Sequence, residues 1–194
     1  MSAGDDERIS PLPPDQWPAE MKGALAALRP PDPRHPLPSR EPGRPKGLNV
    51  LGTLARYPAL TTAYHTLNGH ILFATTLTPR QRELLVLRVA AVRRCEYEWR
   101  QHAVLAGDAG LTVEEVERIR EDPGASEWSA LEGAMLRAAD ELLADAKVAD
   151  ATWAVLAAEL DEHQLMDLVF TVGTYDQLAM AMRSFGVQLD DDLR

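Results

Sequence analysis

Thr78-Pro79-Arg80-Gln81-Arg82-Glu83-Leu84-Leu85-Val86-Leu87-Arg88-Val89 reads as the opening of a helix. Threonine stands at the N-cap, proline at the first helical position, and glutamine where a reciprocal capping bond needs it. The apolar residues Leu84, Leu85, Leu87, Val89 and Val92 follow at mixed helical spacings, which predicts burial on more than one side. The same punctuation recurs downstream. Gly110 ends the next helix, Thr112-Val113-Glu114-Glu115 caps another, and Pro123-Gly124 marks a turn. An alanine- and leucine-rich helix is predicted from about Glu127 to Ala146, then a short one capped by Asp150. Asp161-Glu162-His163-Gln164 caps the last, which runs to about Ser184 with Gly186 at its end. Nothing alternates with period two over a strand's length. The fold class is therefore all-α: a single helical domain of about seven or eight helices over residues 48–194.

Upstream the composition changes. Eleven of the fourteen prolines fall within residues 1–47. Each proline ring fixes φ and removes an amide donor, so the run from Arg29 to Pro38 cannot be helical. Residues 1–47 read as a proline-rich N-terminal arm with one short helix near Trp17–Leu28, anchored by Trp17 and Leu37. Such an arm could complete a site in a neighbouring subunit.

The chain has 194 residues, 45% hydrophobic and 26% charged, with a formal net charge of −10. That balance fits a globular protein, and the acidic field disfavours nucleic acid as a partner. The single cysteine, Cys95, excludes an internal disulfide and a multi-cysteine metal site within one subunit. No apolar run approaches the roughly 18–20 residues that span a bilayer. The opening Met-Ser-Ala-Gly-Asp-Asp-Glu-Arg is unlike a secretory leader, so no membrane association and a cytoplasmic location are expected.

The most unusual local sequence is Arg93-Arg94-Cys95-Glu96-Tyr97-Glu98-Trp99-Arg100-Gln101-His102. On a helix, Cys95, Glu98 and His102 share one face. Glu98 and His102, one turn apart, are expected to pair, with the carboxylate orienting the imidazole. Glu83 is an acid inside an apolar run and needs a partner: Arg82, Arg88 or a group on another helix. If the two helices face each other, two carboxylates, an imidazole and a thiol converge on one pocket. A Glu–His pair could also bind a metal, but no third or fourth ligand is evident, so no metal site is expected.

The spacing Glu83, Cys95, Glu98, His102 resembles the active-site pattern of the carboxymuconolactone decarboxylase and alkyl hydroperoxidase D-like family. Further resemblance lies in Tyr57-Pro58-Ala59-Leu60, Gly69-His70-Ile71-Leu72, the stretch from Leu77 to Leu84, Ala106-Gly107-Asp108-Ala109-Gly110-Leu111-Thr112, and Gln164 to Gly173. It implies an all-α protein assembled as a trimer or hexamer, with an active site near a subunit interface and no cofactor. The hydroperoxidase branch carries a Cys-x-x-Cys pair before the histidine. Here the second position is Glu98, so a disulfide cycle between those positions is ruled out.

The resemblance and the residues together imply acid/base chemistry, a decarboxylation or related lyase or isomerase step, on a small cyclic carboxylic acid or lactone. His102 is the expected general acid/base. Glu98 would orient it, and Glu83 would be a second acid, kept neutral by burial beside a substrate carboxylate, or a holder of the histidine network. Cys95 completes the catalytic candidates. Arg94, Trp99 and His70 are the substrate-binding candidates, with Arg93 and Arg100 as further cations. Two alternatives stand beside this. One is a thiol-dependent hydroperoxide reductase using Cys95 with an external thiol; the other is a catalytically silent homo-oligomeric binding module. His65 reads as a histidine with a local hydrogen bond, His35 and His163 as solvent-facing, and Thr171 and Tyr175 as core.

Overall fold

The computed structural model describes residues 6–36, 45–121 and 123–194. Leu37, expected to anchor the arm, lies outside the described residues. Nine α-helices occur among them, and no strand. They are α1 (Met21–Ala27), α2 (Leu48–Leu54), α3 (Pro58–Gly69), α4 (Pro79–Arg93), α5 (Glu96–Asp108), α6 (Val113–Glu121), α7 (Ala130–Asp145), α8 (Asp150–Glu159) and α9 (Glu162–Phe185). The all-α expectation holds: eight of these helices lie within residues 48–194, and α1 is the short helix foreseen in the arm. None of the described helices is long and apolar enough to cross a membrane.

The chain forms two compact units: residues up to Ala74 with Met180–Arg194, and Thr75–Ala179. In the first, α1 packs on α3. His65 on α3 sits buried with its Nδ1 2.8 Å from the Ala24 carbonyl of α1, the local hydrogen bond expected of it. Gly69 at the end of α3 lets the backbone of Leu28 approach closely, because a Cβ there would stand 2.5 Å from the Leu28 carbonyl oxygen. Trp17 anchors its segment as foreseen, donating its indole N–H to the Leu12 carbonyl at 2.8 Å and packing beside Met21, Ala24 and Ala55. A π-helical turn, His70–Ala74, follows α3. Nothing in the residue pattern announced it.

In the second unit α4 is central and packs against α5, α6 and α7. Its capping box forms as the sequence predicts: Thr78 accepts from the Gln81 amide and Gln81 accepts from the Thr78 amide. Burial of Glu83, Leu84, Leu85, Val86, Leu87, Val89 and Ala90 confirms a helix covered on several sides. Leu84, Leu87, Trp99, Ile119 and Leu136 share one core with residues from α5, α6 and α7. Arginines then tie the helix ends together. Arg80 bonds Glu115 of α6 and Glu132 of α7, and Arg88 bonds Asp140 of α7 at 2.6 Å.

Two boundaries differ from expectation. α7 starts at Ala130 rather than Glu127, because Ser129 and Glu132 form a capping box there. Asp150 does not cap α8. Ala149 holds the cap position, and its amide donates to Glu141 on α7 at 2.8 Å, so a side chain from a neighbouring helix supplies the missing acceptor. The boxes at Thr112–Glu115 and Asp161–Gln164 form as read.

Candidate active site

The turn between α4 and α5 decides how the candidate residues are presented. Arg94 closes α4 with φ 53°, in the left-handed region that a non-glycine residue seldom adopts. Cys95 then takes the N-cap position of α5, which sends Tyr97, Glu98, Trp99 and His102 into the interior of the second unit. α4 lies alongside and contributes Glu83.

His102 Nδ1 lies 2.7 Å from Glu83 Oε2, with the His102 side chain 7% and the Glu83 side chain 0% exposed. Arg82 Nε donates to the other oxygen, Oε1, at 3.0 Å. Burial pushes the Glu83 carboxyl upward, but the imidazole and the Arg82 guanidinium outweigh it and hold the group below its ordinary value. Glu83 is thus an ionised acceptor. Nδ1 of His102 must carry the hydrogen in that bond, which leaves Nε2 as the position that gains or loses a proton. Tyr175 of α9 sets its ring edge-on to the imidazole, with centroids 5.0 Å apart.

Glu98 behaves differently from expectation. It is 1% exposed, and neither carboxyl oxygen has a hydrogen-bond partner among the described residues. Burial first, and then the charge of Asp176 on α9, raise its pKa well above the ordinary carboxylate range. Asp176 is itself bound by Arg93 through two contacts, Nε–Oδ1 and Nη2–Oδ2, and Arg93 also donates to the Leu143 carbonyl. An uncharged Glu98 therefore stands beside an ion pair it does not join.

Glu83 takes one of the two parts expected of it, holding the histidine. Glu98 does not take the orienting part and is instead the acid whose neutral form burial favours. Sharing a helix face at i, i+4 brought Glu98 near His102 but did not pair them. The neighbouring helix offers an acceptor whose charge Arg82 already secures.

The convergence on one pocket is only partly met. A pocket of about 270 Å³ is lined by Ala90, Ala91, Arg94, Cys95, Glu96, Trp99 and Arg120, so Cys95, Arg94 and Trp99 share it. Glu83 of α4 and Glu98 and His102 of α5 do not line it; all three are buried. Arg120 of α6 places its guanidinium 3.8 Å from the centroid of the Trp99 ring and makes a 3.6 Å ion pair with Glu96. Arg100 pairs with Glu96 at 2.7 Å. His70 lies in the first unit, exposed, at the start of the π-helical turn. His163 is exposed as foreseen, whereas His35 is half-buried. Among the described residues, no three His, Cys, Asp or Glu side chains converge to hold a metal ion.

Arg120 and Asp176 were missed as members of the site, whereas Arg82 was among the partners foreseen for Glu83 and Tyr175 is buried as read. Asp176 carried a usable signal, an acid within the apolar last helix. Arg120 carried none, since only packing of α6 brings it to Trp99.

An all-helical unit that buries a Glu–His pair between two neighbouring helices, beside a short turn holding a cysteine, defines the class. Residues 58–141 match the sequence model of the carboxymuconolactone decarboxylase family. The fold is shared with solved structures at low identity. The debrominase Bmp8, solved as a variant in complex with 2,3,4-tribromopyrrole, is 16% identical with a TM-score of 0.71, covering 96% of this chain and 93% of that one. An alkylhydroperoxidase AhpD core protein from Ralstonia eutropha is 18% identical with a TM-score of 0.68, covering 84% and 95%. A putative antioxidant defence protein AhpD from Agrobacterium tumefaciens is 16% identical with a TM-score of 0.66, covering 71% and 94%. No curated protein matches the sequence.

Proposed function

We propose that this protein is a cofactor-independent acid/base catalyst acting on a small cyclic carboxylic acid or lactone, with His102 as the group that moves the proton. The observation that carries this is the buried 2.7 Å bond from His102 Nδ1 to Glu83. An imidazole fixed in one tautomer and orientation by a charged acceptor presents Nε2 as a proton donor and acceptor. In a decarboxylation, the carbon–carboxyl bond breaks and its electron pair passes into a conjugated carbonyl, giving an enolate. The protonated Nε2 then delivers a proton to carbon, and water restores the imidazolium. Glu98, uncharged, adds no repulsion toward the substrate's carboxylate.

A panel of conjugated lactone acids incubated in deuterated water, with NMR detection of deuterium at carbon, tests this. Turnover with deuterium incorporation is expected, falling by about 100-fold or more in His102→Asn. An unchanged rate in that variant refutes the proposal. One observation favours a second reading: Cys95 lines a pocket. There a thiolate would attack a hydroperoxide oxygen and release the alcohol, and an external thiol would reduce the resulting sulfenic acid. Assembly as a homo-oligomer also belongs to the proposal. α9 leaves Met166, Phe170 and Met180 exposed, and a monomer in light scattering counts against it.

A further inference from the structure

The first unit buries a histidine that the proposed proton transfer does not use. His65 of α3 is 3% exposed, and its Nδ1 lies 2.8 Å from the Ala24 carbonyl of α1. A carbonyl only accepts, so Nδ1 carries the hydrogen and Nε2 is where a second proton would go. Among the described residues of the elements packed on it, no buried anion balances that charge. α1 has one charged residue, Lys22, exposed like Glu20 and Arg29 at its ends. α3 has no Asp, Glu, Lys or Arg, and its other titratable side chain is Tyr64, with ring centroids 5.9 Å apart. α2 carries no titratable group, and the π-helical turn carries only His70, which is exposed. Burial accordingly moves the His65 pKa below its ordinary value, and the Ala24 hydrogen bond offsets only part of that. The contact itself is lightly held. α1 is seven residues, a length that does not stay helical without packing. Met21 and Ala24 are its buried side chains, while α3 buries the polar Thr61, His65 and Asn68. Asn68 Oδ1 is buried without a hydrogen-bond partner among the described residues, which weighs against closure.

We infer that His65 is an acid-sensitive latch: a proton on its Nε2 releases α1 from α3 and uncovers the polar face of α3. The imidazolium can keep its Nδ1 hydrogen bond, but its charge then sits in a desolvated contact, and opening carries it to water. An exposed imidazole titrates near 6.5, and the closed one lower. Above the ordinary value both forms are neutral and the latch is shut. As pH falls from there toward the closed-state value, the open form takes up the proton first. The ratio of closed to open then drops by up to about tenfold per pH unit. The opening is confined to α1 and its flanks. On one side the Leu12 amide donates to the Gly52 carbonyl at 3.0 Å, and on the other the Arg34 amide donates to the Phe73 carbonyl at 2.6 Å. Backbone bonds of this kind do not titrate, so the segment stays tied at both ends while its middle lifts. Local opening of that sort needs less free energy than global unfolding.

Hydrogen exchange of the full chain, followed by NMR from about pH 7.5 to about pH 5, reads the latch directly. Protection factors remove the intrinsic pH dependence of exchange, so what remains is the opening equilibrium. The α1 amides, including that of Ala24, which bonds the Glu20 carbonyl, should lose protection below about pH 6.5, by up to about tenfold per unit. The amides of Val86 and Leu136, buried in the second unit, should not fall with them. His65→Asn keeps an N–H for the Ala24 carbonyl and does not titrate, so its α1 protection should be flat with pH. A titration of the His65 ring in the unaltered protein, read from its own imidazole resonances, needs no variant to fold and should fall below the ordinary histidine value. Flat α1 protection in the wild type overturns the inference, as does a slope that survives in His65→Asn. An equal loss at Val86 and Leu136, or a His65 ring that titrates at or above the ordinary value, overturns it as well.

Discussion

His102 takes its carboxylate partner from Glu83, nineteen residues earlier on the neighbouring helix, and not from Glu98 one turn away on its own. A bond between α4 and α5 is a statement about packing as well as chemistry. It fixes the imidazole only while the two helices stay in register. Removing the Glu83 charge breaks its ion pair with Arg82, whose side chain is 11% exposed, and its bond to His102. Glu83→Gln is therefore expected to lower stability by about 3–5 kcal/mol, the usual consequence of breaking a buried ion pair from one side. Urea denaturation measures this. Turnover should fall by about 100-fold in the fraction that stays folded, because the imidazole loses the charged acceptor that fixes its tautomer and orientation.

Cys95→Ser separates the two functional readings. Proton transfer at His102 does not use the thiol, so a decarboxylase should keep turnover within about twofold of wild type. Hydroperoxide reduction with an external dithiol should vanish, because serine cannot form the sulfenic acid. Parallel assays with a lactone acid and with cumene hydroperoxide check both outcomes. Loss of decarboxylation in this variant contradicts the acid/base assignment.

What the residues revealed in advance follows a physical division. Caps at Thr78, Thr112 and Asp161 are local, formed between residues three apart, and each was readable from its own four-residue stretch. The cap of α8 was not, because its acceptor is Glu141 from another helix. The same division runs through the site. Glu83, Glu98 and His102 were recognisable as chemistry-bearing, since an acid in an apolar run must be accommodated somehow. Which acid serves the histidine depended on the α4–α5 contact and on Arg82, and no spacing along α5 encodes that. Arg120 reaches Trp99 only after α6 has packed. The π-helical turn at His70–Ala74 is a backbone departure without a residue signature.

Close backbone approach in the first unit gives a stability test independent of chemistry. A methyl group at Gly69 would press on the Leu28 carbonyl, whereas Gly107 on α5 has open space around its Cβ position. Gly69→Ala should destabilise by about 1–3 kcal/mol through overpacking. Gly107→Ala should be neutral or stabilise by up to about 1 kcal/mol, through the better helix propensity of alanine. Thermal melts moving in the same direction for both would contradict the packing of α1 on α3.

Glu98 predicts an unusual slope of stability with pH. Its carboxyl ordinarily titrates near 4.5, and in the folded protein burial and Asp176 raise it well above that. Between those two values the folded chain keeps a proton that the unfolded chain has released. Stability must then fall as pH rises through that window, by up to about 1.4 kcal/mol per pH unit for this one group. Below the ordinary value both states are protonated, and the contribution is flat. Glu98→Gln does not titrate, so it lacks this slope. The groups facing Glu98, including Asp176, Arg93 and His102, are common to both proteins and cancel to first order in the difference. Urea denaturation from pH 4 to pH 8 should show the variant gaining on wild type as pH climbs above about 5, with the two closest at pH 4. Parallel profiles would mean that Glu98 is ionised in the folded state, against the upward shift that burial and Asp176 impose.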